Sequence, residues 1–340
     1  MMGAAPVNLL EIKDLKKTFS IATGLFSRQL TLTALQDINF TVRQGETLGI
    51  VGESGCGKST LGRCILQLIS PDEGQVLWLG QDLTRLPGEE MRKRRADLQI
   101  IFQDPLASLN PRMTVGEIIE DPLKTLKPEL RRDERRARVV RIMEAVGLLP
   151  EMINRYPHEF SGGQAQRIGI ARALITEPKL IVCDEPVSAL DVSIQAQILN
   201  LLSALKDEFG LTLIFISHNL SVVRHVSDRI LVLYLGRIVE LASGDEIYGD
   251  PRHPYTRALL TAVPIPDPKL ARARQIETLQ GEIPSPINPP SGCAFRTRCR
   301  FARPRCAEIR PPLERLENGR LVACIRWQEI EAELAAPIQA

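Results

Sequence analysis

The stretch that most constrains this chain is Gly52-Glu53-Ser54-Gly55-Cys56-Gly57-Lys58-Ser59, which fits the pattern G-x-x-x-x-G-K-[ST]. Apolar residues 47–51 lead into it and read as a short buried strand. Residues 60–66, beginning with Thr60, read as the first turns of a helix. Glycines leave no side chain to keep an anion off the backbone, and the amides point at it together with the positive end of the following helix. Lys58 is placed to neutralise β- and γ-phosphates, and the Ser59 hydroxyl to hold Mg²⁺. A glycine-rich turn that binds nothing needs neither the lysine, nor the serine, nor both flanking elements.

Three other apolar runs end in residues suited to phosphate chemistry. Residues 180–185 finish in Asp184 and Glu185. Buried strands of this kind carry their last side chains to the edge of a parallel sheet where ligands bind. Asp184 is then a Mg²⁺ ligand and Glu185 the group that polarises the attacking water. Residues 211–216 end at Ser217 and His218. A lone strand-end histidine is more often structural, but its position beside Glu185 favours a γ-phosphate contact. Residues 98–105 end at Gln103, Asp104 and Pro105. Gln103 can reach a metal or an attacking water, although glutamine also simply ends strands. Separately, Ser161, Gly162, Gly163 and Gln164 follow Phe160 and open an alanine-rich helical segment containing Arg167 and Arg172. This is a second anion site on the same logic. A single phosphate chain does not need two such sites unless they serve two nucleotides.

The rest of the chain gives organisation. Residues 10–13 and 38–42 alternate apolar with polar and predict an antiparallel edge sheet, with residues 20–33 as an irregular insertion between them. Phe19 is either a base-stacking aromatic or an ordinary edge aromatic. Residues 71–74 signal a turn, 75–79 a strand, and 230–234 with 237–240 a hairpin around Gly236. The basic runs 91–95 and 131–141 read as solvated helical faces. The 340 residues allow one large domain and a smaller one. Their 43 basic against 41 acidic side chains give no global field for nucleic acid. No apolar run approaches the roughly 18 residues that span a bilayer. Residues 1–8 lack the pattern of a secretory signal, so the chain is expected in the cytoplasm, at a membrane only through partners.

With these residues in view, the chain resembles an ATPase subunit of the ABC transporters. The glycine loop, Gln103, the Ser-Gly-Gly-Gln signature, Asp184-Glu185, the segment 188–191 and His218 occur in that family's order and spacing, over roughly residues 9–249. Phe160 stands where the signature usually has leucine. The resemblance implies an α/β fold: a P-loop NTPase domain with a mixed sheet core, an antiparallel β edge and a helical subdomain at about 104–175, spanning residues 1–249, then a small Cys-rich extension at 250–340. It implies two such domains packed head to tail. Each ATP then lies between one glycine loop and the partner's signature. On that reading ATP meets Phe19, Gly52, Glu53, Ser54, Gly55, Cys56, Gly57, Lys58, Ser59, Thr60, Gln103, Asp184 and His218. Ser161, Gly162, Gly163, Gln164 and Asp191 complete the partner's site. Mg²⁺ would be held by Ser59, Gln103 and Asp184, and hydrolysis carried by Glu185, His218 and Gln103.

Residues 253–260 and 284–293 resemble the C-terminal extension of the oligopeptide/dipeptide importer ATPases, most like their F-type subunit. That implies a second, D-type ATPase, two transmembrane permeases, an external peptide-binding protein, and a place on the cytoplasmic face of the inner membrane. Related importers carry nickel or other solutes. A soluble ABC protein acting on ribosomes or DNA would carry two cassettes or a long heptad insertion, and neither is present. A module that only binds nucleotide would not need Lys58, Glu185 and His218 together.

Of the seven cysteines, Cys293, Cys299, Cys306 and Cys324 fall as C-x5-C-x6-C-x17-C in a proline- and arginine-rich tail with few large apolar residues. Disulfides are disfavoured in a reducing compartment. Zinc prefers shorter C-x₂₋₄-C pairs, and the wider spacing suits a larger body such as an Fe–S cluster held by four thiolates. Zinc and free thiols stay open as alternatives. The resemblance agrees with a [4Fe–4S] cluster, which peptide importer ATPases carry on a four-cysteine tail.

Overall fold

A computed structural model describes residues 8–21, 30–262 and 281–335. In chain order the elements are β1 (Asn8–Ile21), β2 (Leu30–Arg43), β3 (Thr47–Val51), α1 (Lys58–Ile65), β4 (Glu73–Trp78), β5 (Gln81–Asp82), α2 (Gly88–Arg94), β6 (Leu98–Ile101), α3 (Val115–Leu126), α4 (Arg132–Ala145), α5 (Gly162–Leu174), β7 (Leu180–Asp184), α6 (Val192–Phe209), β8 (Thr212–Ser217), α7 (Leu220–Val226), β9 (Arg229–Tyr234) and β10 (Arg237–Ser243). Helix α8 (Gly244–Gly249) follows β10, and the extension adds α9 (Pro254–Thr261), α10 (Arg305–Glu308), β11 (Glu314–Arg315), β12 (Leu321–Val322) and α11 (Trp327–Ala335).

Strands β3, β7 and β8 are buried along their whole length, as apolar strands covered on both faces must be. They lie with β6 and β9 in the parallel part of an eight-stranded sheet ordered β11-β12-β10-β9-β3-β8-β7-β6. The side chains of these strands alternate between two cores. Leu48, Ile50, Val182, Ile214 and Ile216 face α1 and the antiparallel sheet β2-β1-β4-β5. Ile181, Cys183, Leu213 and Phe215 face the helices. Gly62 lets α1 approach closely, since a Cβ there would stand 3.0 Å from Val182 and Ile216.

Helix α3 starts at a capping box of Thr114 and Glu117 and buries Val115, Ile118, Ile119 and Leu123 against α4 and α5. The structure departs from two expectations. The segment 20–33 is not irregular throughout: β1 runs on to Ile21 and pairs it with Leu30, because the alternation continues through Phe19 opposite Leu32; residues 22–29 lie outside the described residues. The arginine-rich face of α4 is only partly solvated, since Arg135 reaches across to Glu120 at 2.8 Å and Arg138 pairs with Glu177.

The extension is built into the sheet. Strand β12 pairs antiparallel with β10, and Tyr255 and Phe295 enter the helix-side core. Among the described residues no helix is long and apolar enough to cross a membrane.

Candidate active site

The glycine loop starts at the end of β3, between β8 and β9, and runs straight into α1. Gly57 caps α1 with φ 106°, where a side chain would be strained and its Cβ would meet the Ala34 carbonyl at 2.5 Å. Helix α1 has no acid in its first turn, so nothing there competes with a bound anion. Lys58 is 5% exposed, and its ammonium donates to the carbonyls of Gly52 (2.8 Å) and Glu53 (3.1 Å). An ammonium has three donors, so one is left for a phosphate oxygen.

The strand ends converge as the sequence predicts. The Ser59 hydroxyl donates to Asp184 Oδ1 at 2.7 Å. Burial pushes the Asp184 carboxyl up from its ordinary value; the bond from Ser59 and the nearby Arg63 pull the other way. Glu185, with φ 48°, leaves β7 in the left-handed region, its N–H held by the Ile216 carbonyl. Its carboxylate lies between two partners: the Gln103 amide donates to Oε2 at 3.1 Å, and His218 Nδ1 lies 3.2 Å from Oε1. Three strands, β6, β7 and β8, thus deliver Gln103, Glu185 and His218 to one point.

These side chains line a cavity of about 550 Å³ with Phe19, Ser54, Gly55, Gly57, Lys58, Ser59 and Thr60. Gly52, Glu53 and Cys56 shape the loop without lining the cavity. Phe19 is exposed at its mouth, with the Lys17 ammonium 5.5 Å from the ring centre. Sequence reading missed Leu32, Thr33, Ala34, Leu235, Gly236 and Pro286, which also line it; Gly236, at the hairpin, carried a turn signal, and the rest carried none. A larger open cleft of about 1240 Å³ lies between β1–β2 and the tail. Some of its charges pair among neighbours, as Arg229 does with Glu46 and Asp37 with Arg237, and among the described residues lining it none belongs to the glycine loop.

The signature is elsewhere. Ser161 caps α5, sharing a capping box with Gln164, and is exposed. Gly162 and Gly163 let α5 close on α6 and the segment before it: a Cβ on Gly163 would stand 2.6 Å from Ile194, and one on Gly162 3.3 Å from Leu190. Among the described residues lining the glycine-loop cavity, none is Ser161, Gly162, Gly163, Gln164 or Asp191. Asp191 is exposed ahead of α6.

Cys293, Cys299, Cys306 and Cys324 all line one narrow cavity of about 20 Å³. Burial pushes the Cys299 thiol up to about 11 and the Cys324 thiol up to about 12. Among the described residues, no group of three or more His, Cys, Asp or Glu stands in an arrangement that holds a metal ion.

The family profile described as "ABC transporter" matches residues 35–188, and "Oligopeptide/dipeptide transporter, C-terminal region" matches residues 239–306. The oligopeptide transport ATP-binding protein OppF of Salmonella typhimurium is 62% identical over 309 residues, covering 90% of this chain and 92% of that protein. OppF of Haemophilus influenzae is 58% identical over 321 residues, covering 94% and 97%. Among solved structures, the dimeric post-hydrolysis state of the ATP-binding cassette MJ0796 bound to ADP and Pi is similar at 32% identity and TM-score 0.61, covering 69% of this chain and 98% of that one. A second, cbiO1 from Clostridium perfringens, part of the transporter complex cbiONQ, has 27% identity and TM-score 0.62, covering 72% and 91%.

Proposed function

Because the chain belongs to the ATP-binding subunits of the oligopeptide/dipeptide-importing ABC transporters, we propose that it hydrolyses ATP to drive peptide uptake, paired head to tail with a second ATPase. The observation that carries this reading is a site that is built but half complete. Loop, Gln103, Glu185 and His218 share one cavity, with Asp184 behind it bonded to Ser59, while no described signature residue lines it. A partner's signature is the missing wall. The dimeric cassette among the similar structures supports the pairing.

In this reading the loop amides and Lys58 bind the phosphates and Phe19 stacks on the base. Glu185 orients the attacking water and takes up its proton. His218 holds Glu185 and contacts the γ-phosphate; Gln103 fixes the other carboxylate oxygen. Ser59 and Asp184 fit a magnesium ion, since their oxygens already converge at 2.7 Å, with Gln103 within reach of the same cavity. When bound, Mg²⁺ supplies charge that screens the phosphate oxygens.

The finer assignments are part of the same proposal. Residues 1–249 form the cassette, with its helical subdomain at about 104–175, and 250–340 the importer extension. The partners are a D-type ATPase, two permeases and an external peptide-binding protein. The site of action is the cytoplasmic face of the membrane. Four thiols are the donor set of a [4Fe–4S] cluster, and the shared lining of one cavity by all four is what supports one here, although among the described residues they do not stand in an arrangement that holds a metal ion. Anaerobic protein with about four irons per chain and absorbance near ~400 nm is the expected result; stoichiometric zinc in colourless protein would contradict it. For the motor itself, the test is ATP hydrolysis by the assembled transporter on adding peptide-loaded binding protein. Stimulated turnover that disappears in Glu185→Gln is expected, and hydrolysis indifferent to both would contradict the reading.

A further inference from the structure

The glycine loop is held from outside the cassette. Glu53 is fixed at three points. Its N–H donates to the Tyr255 hydroxyl at 3.0 Å. Its carboxylate takes a paired grip from Arg298, Nη1 to Oε2 at 2.6 Å and Nη2 to Oε1 at 2.9 Å. Its carbonyl accepts from Lys58 and from the Cys56 N–H. Tyr255 and Arg298 both belong to the extension. Tyr255, on α9, is fully buried with its ring 4.6 Å from Tyr234 and 5.3 Å from Phe295. Arg298 ends a turn whose N–H bonds back to the Phe295 carbonyl, and its side chain is 5% exposed. A paired guanidinium–carboxylate contact withdrawn from water is directional as well as strong.

Glu53 does not line the nucleotide cavity, so its side chain has no phosphate to meet. What it can do is set the backbone of a loop with glycines at 52, 55 and 57. Such a backbone has many conformations, and fixing one before the nucleotide arrives removes an ordering cost from binding.

We propose that Arg298 and Tyr255 are positioning residues for nucleotide binding: through Glu53 the C-terminal extension preorganises the glycine loop. The proposal rests on the ATP-binding reading above. Loss of the grip acts on affinity and leaves turnover at saturation in place, because Glu185 and His218 are positioned by the ends of β7 and β8 and by each other, not by this contact. The test uses the full chain in the assembled transporter. Binding of an N-methylanthraniloyl derivative of ATP with Mg²⁺ is titrated, and hydrolysis is followed across ATP concentration. Arg298→Met is expected to weaken analogue binding and raise KM about tenfold, the scale of a charged hydrogen bond, with kcat within about twofold. The exchanged pair Glu53→Arg with Arg298→Glu is expected to recover most of that loss. If Arg298→Met does not fold, Arg298→Lys, which keeps the charge but not the paired geometry, decides by the same KM criterion. An unchanged KM, or a fall in kcat matching the rise in KM, overturns the proposal. A wild-type chain that binds no analogue overturns the ATP reading instead.

Discussion

Lys58 spends two donors on its own loop and keeps one for the phosphates. Lys58→Ala should therefore lose both the loop's internal tie and the charge at the β/γ-phosphates. Nucleotide titration should show weakened binding and no measurable turnover; near-normal hydrolysis would remove this loop from the active site. Glu185→Gln keeps the shape but not the base. ATP should still bind, while hydrolysis falls about 10²–10⁴-fold and the closed, nucleotide-loaded pair accumulates. Asp72 carries a separate expectation. Burial alone would raise its carboxyl, but Lys17, the Thr18 hydroxyl and the Thr18 amide outweigh it and hold the value at about 2, below the ordinary 3.8. A lowered folded value means a contribution that is complete above the ordinary value and lost as pH falls through about 4 to about 2. Asp72→Asn should lower the melting temperature near neutral pH, and the difference from wild type should vanish below about pH 2. No difference at neutral pH would mean that this anchor beside Phe19 is idle.

At the scale of elements, only α1 of the two glycine-led helix N-termini α1 and α5 lines this chain's own cavity, and the proposal gives α5 to the partner's nucleotide. Ser161→Arg should leave the isolated subunit's nucleotide affinity intact and disable the site completed on the partner, because the added side chain fills the space for the partner's phosphate. Loss of binding in the isolated subunit would contradict the head-to-tail arrangement. These elements were legible because their signals are local. A buried strand, a glycine loop and a helix follow one another within about twenty residues, and strand-end residues such as Gln103, Glu185 and His218 converge once the sheet is parallel. The grip of Arg298 on Glu53 was not legible, since the two are 245 positions apart and neither belongs to a periodic pattern. Nor was Pro286 at the nucleotide cavity, because no local rule says where a proline-rich segment lies.

Across the whole molecule the tail packs onto the cassette and adds strands to its sheet. Sequence reading gave it few large apolar residues and therefore a need for a staple of its own. Tyr255, Phe295 and Leu321 are nevertheless buried in the cassette's cores, while Ile283, Ile309 and Leu334 stay exposed. Glu240 on β10 is fully buried and accepts the N–H groups of Arg252 and His253 as well as the Arg320 guanidinium. Arg320→Ala would strand that carboxylate, and denaturant unfolding should show a loss of about 3–5 kcal/mol; a change below about 1 kcal/mol would mean the tail is only loosely attached. In the proposed assembly, ATP is hydrolysed between this chain's glycine loop and a partner's signature to drive peptide import. The most direct test is the ATPase rate of the membrane-embedded transporter with peptide-loaded binding protein, comparing wild type with Ser161→Arg and Glu185→Gln in this chain. The account predicts peptide-stimulated hydrolysis that both substitutions sharply reduce, although each variant chain still binds nucleotide at its own loop. Undiminished, peptide-stimulated hydrolysis in both variants would contradict it.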